Sequence, residues 1–423
     1  MLKSPENVPG IMMSQNVYFY YPSICLGGAE LLFTRLAIHM VKYNLAQPVL
    51  IDNVNGLYSD LVSGEKIKVI YINKIEKIAI NEGVIILPPS HLLEIGNTLN
   101  IGNDVKILLW SIHPLNMESI LPLFPLVHKL SLKVRLFLYR FITPFSFVQY
   151  VDLVRYISSL QALCLMDCSN YKTITLNGNI VNLEKNYLPI PIELARNKSR
   201  AKEIPSSPIN IAWLGRIADF KVNSLIKIYN DLSLYTRTFR CKMVFHIIGD
   251  GELLELVKKH CQNTPFLQVV YIGALKPSLL EEYLLENVQI LIAMGTSCLE
   301  GGKLAIPSIL VDVFPQRPPK QYTYRWLYET TDFSLGDYVY SDVLTEHYIA
   351  DIIEGSNLSD HGERCLEYVK SNHSIEQVTV KMLKLSSETH LDGRLYNNVL
   401  NGKVTFMMRL LQRVKNWKRK LNG

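Results

Sequence analysis

Several features that define large classes of protein are missing from this sequence. No window approaches the roughly 18 uncharged apolar residues that a membrane-spanning helix needs, and no secretory apolar segment follows the N-terminus. Low-complexity segments are absent, and the composition of 48% hydrophobic and 19% charged residues excludes a disordered chain. The seven cysteines include one close pair, Cys164-x3-Cys168, and no histidine completes a zinc set. We therefore expect a globular, reduced, cytoplasmic protein without a metal site.

The chain is too long for a single ordinary core. Its 423 residues predict two domains of roughly 190 residues each. Pro189, Pro191, Pro205 and Pro208 stand among charged residues and mark an exposed connection. The net charge of +6 is mild, so the position of the basic residues matters more than their total.

Each half of the sequence alternates short apolar segments with segments able to form helices. The first half contains NVYFYY, QPVLID, KIKVIYIN, VIILP and VKILLW, and the second contains INIAWLG, MVFHIIGDG, LQVVYIG, VQILIAM and IPSILVD. Short β-branched segments of this kind are typical of parallel strands joined by helical crossovers. The sequence therefore predicts an α/β protein with two Rossmann-like, doubly wound domains, whose ligands bind at the C-terminal ends of strands.

Two of these strands, one in each half, lead through a glycine turn into a helix. The first turn, LGGAE, contains Gly27 and Gly28, and the second, MGTS, contains Gly295, Thr296 and Ser297. A strand, glycine turn and helix together present backbone N–H groups and a helix dipole to a phosphate. Two plainer interpretations stay open, because a GG pair also occurs in ordinary tight turns and Ser297 also suits an N-cap.

Charged residues follow the strands of the second half. INIAWLG leads into Arg216, with Lys221 five residues later, and a guanidinium beside an ammonium suits a diphosphate. GDGE, which contains Gly249 and Gly251, closes the next strand and leaves backbone exposed to a ligand. We expect Glu300 in the first turn of a helix that begins near residues 299–300. There its carboxylate would bind a ribose diol or simply complement the helix dipole.

Two histidines lie near predicted strand ends in the first half. His113 comes just after VKILLW, and His91 follows VIILP. Most loop histidines have only a structural role, but both positions qualify as site candidates. His113 is the better one because it directly follows a buried strand.

In this order the segments resemble one known family. GGAE, GR-x4-K, IIGDGE and LEGGKLAIPSILVD are similar to motifs of the retaining glycosyltransferases of family 4, whose GT-B fold has two Rossmann-like domains facing across a cleft. LPIPIE is similar to the family's segment before the second domain, and HSIEQVTVKMLKL to its last helical region. The resemblance covers most of residues 15–385 and is strongest over 209–312.

The resemblance implies roles for individual residues. Arg216 and Lys221 match the basic pair that binds the nucleotide diphosphate and stabilises its charge as the glycosidic bond breaks. Glu300 matches the second Glu of a Glu-x7-Glu motif and would hold the ribose. Gly27 and Gly28 match the turn that lies against the phosphates. The glycines of GDGE would also contact the donor.

One position departs from the family. The first Glu of Glu-x7-Glu would stand at position 292, where this chain has Ile292, and MGTS replaces a Gly-Phe-Gly stretch. Thr296 and Ser297, after Gly295, are therefore predicted to supply hydroxyl contacts to the donor instead. His113 falls where the family keeps a histidine near the donor sugar. The resemblance implies no metal and no other cofactor, since helix dipoles and basic side chains neutralise the diphosphate.

The resemblance also organises the chain. It implies an acceptor-binding domain at 1–192, a linker at 193–208, a donor-binding domain at 209–375, a helical return at 376–400 and a tail at 401–423. The implied function is transfer of a sugar from a nucleotide diphosphate donor to a lipid-linked or oligosaccharide acceptor, with retention, in bacterial surface polysaccharide biosynthesis of the lipopolysaccharide type. Two alternatives stay open, a nucleotide-sugar epimerase and a non-catalytic GT-B scaffold of a glycan-assembly complex.

The tail combines basic and apolar residues at helical spacing. Residues 403–421 contain seven basic residues and no acid, and apolar residues recur every three or four positions. This pattern predicts a basic amphipathic helix that holds the protein peripherally on the anionic inner face of the cell membrane. A partner-docking or nucleic-acid-binding helix is the alternative, although we expect no nucleic-acid partner.

A second such segment lies within the first half. Between residues 115 and 157, bulky apolar residues are mixed with Lys129, Lys133, Arg135 and Arg140. This composition favours contact with an anionic lipid surface or a lipid-linked substrate. Helices packed inside a large domain are the equally simple alternative.

Overall fold

The structure, a computed structural model, describes residues 15–24, 28–73, 75–128, 130–178, 180, 183–195, 208–314, 322, 324–337, 339, 348–354, 357–401, 410 and 413, apart from the side chains of 93–94, 176–178 and 219–220. The chain divides into two compact units. Unit 1 consists of Met1–Pro191 and Ile375–Gly423, and unit 2 of Ile192–Ser374. Gly27, most of the expected linker and the expected tail helix lie outside the described residues, apart from Leu410 and Arg413 in the tail.

Strands and helices alternate along the chain. The strands are β1 (Asn16–Tyr20), β2 (Gln47–Asp52), β3 (Lys68–Tyr71), β4 (Ile78–Ile80), β5 (Val84–Leu87), β6 (Leu99–Ile101), β7 (Lys106–Ser111), β8 (Leu163–Leu165), β9 (Ile209–Leu214), β10 (Met243–Ile248), β11 (Leu267–Gly273), β12 (Ile290–Ala293), β13 (Ser308–Leu310) and β14 (Arg325–Trp326). The helices are α1 (Gly28–Lys42), α2 (Tyr58–Leu61), α3 (Leu92–Thr98), α4 (Phe124–Val127), α5 (Leu132–Ile142), α6 (Pro144–Ser159), α7 (Cys168–Gly178), α8 (Asp219–Phe239), α9 (Leu254–His260), α10 (Pro277–Asn287), α11 (Thr296–Gly302), α12 (Ile349–Glu354), α13 (Leu358–His373), α14 (Ile375–Glu388) and α15 (Gly393–Leu395).

Unit 1 is built on a parallel sheet with the strand order β3-β2-β1-β5-β7-β8. The order reverses between β1 and β5, as in a Rossmann fold. The short strands β4 and β6 pair with each other outside this sheet. The expected doubly wound fold of the first half is therefore confirmed. The strands β4, β6 and β8 have three residues each, which is too short for a recognisable pattern in the sequence.

Helices from both chain segments of unit 1, α1 in the first and α14 in the second, contribute to its core. Phe33 and Met40 of α1 are buried with Phe19 of β1 and Trp110 of β7. Met382 of α14 joins the same cluster. Because α14 contributes its apolar face here, residues after 374 complete the core of unit 1 rather than that of unit 2.

Unit 2 repeats the same topology. Its sheet has the order β11-β10-β9-β12-β13-β14, with parallel pairing except between β13 and β14. The order reverses between β9 and β12, which makes this a second Rossmann-like unit and confirms the expected fold. The antiparallel edge strand β14 has only two residues, so no period-two pattern could predict it.

Both faces of the second sheet are covered, which explains why its strands are continuously apolar. Along β9, Ile211 and Trp213 belong to one buried cluster, which includes residues of α8. Ala212 and Leu214 belong to the opposite cluster, with residues of α10, α11 and α13. Among the described residues, no helix combines the length and the hydropathy needed to cross a bilayer.

Candidate functional site

Three loops of unit 2 begin side by side at the carboxyl edge of its sheet. Leu214 at the end of β9 lies opposite Ile248 of β10 on one side and Ala293 of β12 on the other. The chain therefore leaves the sheet at Gly215, at Gly249 and at Met294 from neighbouring strands. This is the point where the strand order reverses, and doubly wound sheets bind their ligands there.

The loops after β9 and β12 bring two of the expected site residues together. A β-carbon placed on Gly215 would lie 3.4 Å from Nζ of Lys221 and 3.8 Å from Oγ of Ser297. The ammonium and the hydroxyl thus border the same small space, which the absence of a side chain at Gly215 keeps open. The sequence separates these two residues by more than 70 positions, and the pairing of β9 with β12 joins them.

The charge state of Lys221 is set by its surroundings. Burial of the ammonium, together with the positive charge of Arg216, lowers the pKa of Lys221 from 10.5 to about 8. The guanidinium of Arg216 itself is on an exposed residue at the end of β9. Two like charges held close together in a partly buried place favour the binding of an anion between or beside them.

The loop after β10 packs directly on the loop after β9. A β-carbon on Gly249 would overlap the carbonyl oxygen of Gly215, and one on Gly251 would overlap that of Ile217. The N–H of Gly215 donates to Ile248 O at 3.0 Å, and the N–H of Ile217 donates to Asp250 O at 2.9 Å. Both glycines of GDGE therefore have a packing role, because they let the backbone that carries Arg216 lie against this loop.

The glycine turn after β12 differs in detail from the expectation. Gly295 adopts φ +64° and is the N-cap residue of α11, which begins at Thr296 rather than near residues 299–300. Ser297 is consequently the second helical residue, so its interpretation as an N-cap is wrong. Cys298 N–H donates to Gly295 O at 3.1 Å, a bond between residues i and i−3 at the N-terminus of the helix. The N–H groups of Thr296 and Ser297 precede that bond at the start of the helix.

Glu300 lies one turn further along α11 than expected. Its carboxylate accepts from Nζ of Lys303 at 2.7 Å, and Lys303 also contacts Glu281 of α10 at 2.5 Å. Burial alone would lower the pKa of Lys303, but Glu300 and Glu281 outweigh burial and raise it. Glu300 therefore balances a lysine rather than the helix N-terminus. The i, i+3 spacing of Glu300 and Lys303 in LEGGK could have predicted their ion pair. The contact of Lys303 with Glu281 could not be predicted, because it depends on the packing of α10 against α11.

Ile292 stands where the family that the sequence resembles has the first Glu of its Glu-x7-Glu motif. The residue lies inside β12 opposite Trp213 and is fully buried among the apolar side chains next to α8. A carboxylate at this position would stand in the core and not at the carboxyl edge of the sheet. The positions that reach this edge are Met294 and the residues after it.

A buried ionic cluster that the sequence did not indicate holds the end of β13. Arg325 donates to both carboxylate oxygens of Asp312, at 2.8 and 2.6 Å, and Tyr322 donates to the same group at 3.1 Å. Ser224 of α8 donates to the carbonyl of Asp312 at 2.7 Å. These contacts are all within the fold, so the final Asp of the LEGGKLAIPSILVD motif has a structural role.

In unit 1, the described part of the first glycine turn opens α1. Gly28 is the first residue of this helix and is exposed, and no atom of the described residues lies within 4 Å of a β-carbon placed on it. Glu30 is buried two residues later. Burial, reinforced by the negative charge of Glu30, raises the pKa of Tyr21 and of Tyr58. The described residues of this turn, from Gly28 to Glu30, therefore combine an exposed glycine with a buried carboxylate.

His113 lies in the loop after β7, held in a defined orientation. Its Nδ1 accepts the N–H of Leu115 at 3.1 Å, and its own N–H donates to Asn116 Oδ1 at 2.8 Å. The neutral ring must then carry its proton on Nε2, which makes Nε2–H the hydrogen-bond donor of the ring. Although the residue keeps exposed surface, partial removal of the ring from water lowers the pKa of His113. His91, by contrast, packs edge-on against Tyr20 and Tyr21.

The basic segment of unit 1 divides into two groups. Arg135 is buried and forms a bidentate pair with Glu118, at 2.6 and 3.1 Å, to which Tyr139 also donates at 2.8 Å. Arg135 is therefore an internal residue and does not face lipid. Lys133 and Arg140 are exposed, and Lys129 lies outside the described residues.

No protein-family model and no curated protein matches this chain. Among solved structures, the apo form of the lipopolysaccharide outer core galactosyltransferase WaaB is 11% identical, with a TM-score of 0.45, over 92% of this chain and 99% of that one. WaaG, a glycosyltransferase involved in lipopolysaccharide biosynthesis, is 8% identical, with a TM-score of 0.46, over 88% and 99%. TarM of S. aureus is 11% identical, with a TM-score of 0.34, over 78% and 55%.

Proposed function

We propose that this protein is a glycosyltransferase that moves a sugar from a nucleotide diphosphate donor to a glycan acceptor, with retention of configuration. The observation that carries the proposal is the convergence of Lys221 and Ser297 on the space beside Gly215, at the reversal point of the second sheet. Ligand binding at this point of a doubly wound sheet is the general rule. The motif resemblance over residues 209–312 supports the same function.

The diphosphate would bind at the edge where β9 and β12 end. Lys221 offers an ammonium and Arg216 a guanidinium fork, which together match the charge and geometry of a diphosphate. The N–H groups of Thr296 and Ser297 add donors from the start of α11. A bound diphosphate relieves the repulsion between the two cations, so binding the anion also raises the pKa of Lys221 from its value near 8. No metal ion or other cofactor takes part in this scheme.

The ribose would bind at Glu300. One carboxylate oxygen of Glu300 contacts Lys303, and the other would accept a hydrogen bond from a diol hydroxyl. Lys303 is nine-tenths buried, so it fixes the direction of the carboxylate as well as its charge. Gly249 and Gly251 support this arrangement indirectly, by allowing the Arg216 loop to lie close to the sheet.

In the transfer step, the charge that grows on the departing diphosphate would be stabilised by Arg216, Lys221 and the amides at the start of α11. The transition state is loose, with partial positive charge on the sugar. From the motif resemblance, His113 is proposed to contact the sugar, and the turn containing Gly27 and Gly28 is proposed to contact the phosphates. A hydrogen-bond donor held in one tautomer requires no reorganisation during the reaction.

The acceptor would be a lipid-linked glycan or an oligosaccharide of a bacterial surface polysaccharide of the lipopolysaccharide type. Residues 403–421, with their seven basic side chains, are proposed to hold the protein on the anionic inner face of the cell membrane. Deletion of 401–423 tests this directly, since the protein should then leave the membrane fraction. Unchanged fractionation would reject the tail as an anchor.

A thermal-shift panel of UDP-, GDP-, ADP- and TDP-sugars tests donor binding. A ligand at 100 times its Kd stabilises the folded state by roughly 2.7 kcal/mol, which is readily detected. Arg216→Ala and Lys221→Ala should abolish the shift and the transfer of labelled sugar. Transfer that survives both substitutions would overturn the catalytic role. Donor binding without transfer would indicate a scaffold, and a changed sugar without an acceptor would indicate an epimerase.

A further inference from the structure

The corner between α5 and α6 exposes a large apolar surface on unit 1. Phe141 is 71% exposed, Phe145 63% and Phe137 57%, although each is a large aromatic side chain. The exposed members of this α5–α6 surface are Leu130, Val134, Phe137, Phe141, Ile142, Phe145 and Val148. Isolated exposed apolar residues are normal, but a contiguous set of this kind marks an interaction site.

The sequence and the buried face of α5 explain why these side chains point outward. Val134, Phe137 and Phe141 recur at spacings of three and four, so they share one face of the helix. The opposite face holds Arg135 and Tyr139, which bind buried Glu118. Because this ionic contact fixes the rotation of α5, the aromatic face cannot turn into the core. The rings of Phe137 and Phe141 lie against each other, with centroids 4.5 Å apart.

From residue 119 to residue 151, a range that includes all of α5 and the first half of α6, the exposed charges have one sign. Lys133 and Arg140 are exposed within α5, and Arg140 also lies over the ring of Phe147 at 5.7 Å. The sequence has no acidic residue from 119 to 151, and Glu118 before this stretch is buried and paired. The α5–α6 surface is therefore both apolar and positively charged, which matches the headgroup region of an anionic bilayer.

We propose that the α5–α6 surface docks onto an anionic lipid bilayer. Phe141, Ile142 and Phe145 enter the boundary between headgroups and acyl chains, while Lys133 and Arg140 contact lipid phosphates. A second copy of the chain fits less well, because it would place the same positive charges opposite each other. The docking site consists of residues other than 403–421 and does not depend on the sugar-transfer activity.

Co-sedimentation of the full chain with vesicles tests the proposal. Vesicles of phosphatidylglycerol mixed with phosphatidylcholine should bind the protein, and vesicles of phosphatidylcholine alone should bind it weakly. The triple variant Phe137→Ser, Phe141→Ser, Phe145→Ser should reduce partitioning to the anionic vesicles at least tenfold. A matched control, Leu234→Ser with Phe239→Ser on α8, removes side chains that are 56% and 53% exposed in unit 2 and should leave partitioning unchanged.

A charge variant and an insertion probe give independent outcomes. Lys133→Gln with Arg140→Gln should weaken binding to the anionic vesicles by about fivefold per charge, with little effect on neutral ones. In Phe141→Trp combined with Trp417→Phe, which removes the tryptophan of the tail, fluorescence should shift to the blue when anionic vesicles are added, whereas Phe239→Trp combined with Trp417→Phe should show no shift. Absence of the shift in Phe141→Trp would overturn the proposal.

Two further outcomes would assign the surface elsewhere. If the triple serine variant binds vesicles as the unchanged protein does, and Lys418→Gln, Arg419→Gln and Lys420→Gln together abolish binding, the tail alone contacts lipid and the proposal fails. Light scattering without vesicles measures self-association. A dimer that the triple serine variant dissociates, with no vesicle binding by either protein, would make this surface an interface between copies and also overturn the proposal.

Discussion

Gly249 lies so close to Gly215 that no β-carbon fits between its Cα and the Gly215 carbonyl oxygen. The contact joins the loop after β10 to the loop after β9. It therefore determines how closely the backbone that carries Arg216 approaches the loop after β10. The glycine is required here for close approach as well as for its φ of +144°. The position of one charged side chain of the candidate site thus depends on an uncharged residue on the neighbouring strand.

Gly249→Ala is expected to lower the free energy of unfolding by more than the backbone strain at a positive φ accounts for. Gly64, between α2 and β3, has φ +88° and no atom of the described residues within 4 Å of a β-carbon, so Gly64→Ala is the matched control. Backbone strain costs about 1–3 kcal/mol at either position, and Gly249→Ala adds the overlap with Gly215. Urea unfolding measures the difference, and donor affinity should fall only in Gly249→Ala. Equal effects at both positions would contradict the close-approach argument.

Lys221→Met is expected to stabilise the protein while removing donor binding. The pKa of Lys221 is 10.5 in the unfolded chain and about 8 in the folded one, so folding disfavours the charged ammonium. That cost is fully present below pH 8, declines as the pH rises from 8 to 10.5 and vanishes above. Allowing for partial exposure, Lys221→Met should gain on the order of 1–2 kcal/mol at pH 7 and little at pH 10.5.

Denaturant unfolding at both pH values checks this prediction. The control is Lys258→Met, which removes an exposed pair with Glu255 and should change stability by less than about 0.5 kcal/mol at either pH. A loss of stability at pH 7 in Lys221→Met would contradict the cost that burial and the charge of Arg216 impose on the ammonium.

Glu300 and Glu281 offer a matched pair for the ribose proposal, because both contact Lys303. Either substitution to Gln removes one carboxylate from this lysine and should cost about 1 kcal/mol of stability. Only Glu300→Gln should also reduce affinity for the nucleotide, by about tenfold, which corresponds to roughly 1.4 kcal/mol. Calorimetric titration with the nucleotide diphosphate separates the two effects. Equal affinities in both variants would remove Glu300 from the binding site.

His113 predicts a particular pH dependence of transfer. Protonation of Nδ1 breaks the hydrogen bond that it accepts from Leu115 N–H. Because the pKa of His113 is lowered from 6.5, this protonation takes place at a pH below 6.5. The rate should therefore stay level through pH 6.5 and fall at lower pH. His113→Gln, which can place an N–H near the position of Nε2, should retain more activity than His113→Ala. A rate that already falls above pH 6.5 would argue against this role.

The buried pair of Glu118 and Arg135 predicts a large and purely structural effect. Glu118→Gln leaves Arg135 charged and uncompensated in the interior, at a cost of about 3–5 kcal/mol. Tyr139→Phe removes one hydrogen bond to the same carboxylate and should cost about 1 kcal/mol. Thermal unfolding measures both, and a small effect of Glu118→Gln would show that water reaches Arg135.

The fold class was predictable because both sheets are covered on both faces. Full burial makes their central strands continuous apolar segments, such as INIAWL of β9, and these are visible without any tertiary knowledge. Edge elements gave no such signal, since β14 has two residues and β8 three. The start of α11 was placed too late because Gly295, with φ +64°, caps the helix by its backbone conformation rather than by a side chain.

The sequence by itself determined the alternation of strands and helices, the two Rossmann-like units and which residue types stand at strand ends. Those features depend on local periodicity and on turn chemistry, which are properties of neighbouring residues. Only the tertiary structure decided that Lys221 meets Ser297 beside Gly215, that Glu300 is held by Lys303 and Glu281, and that Arg135 is internal. These relations arise from strand order and helix packing, which join residues that the chain keeps far apart.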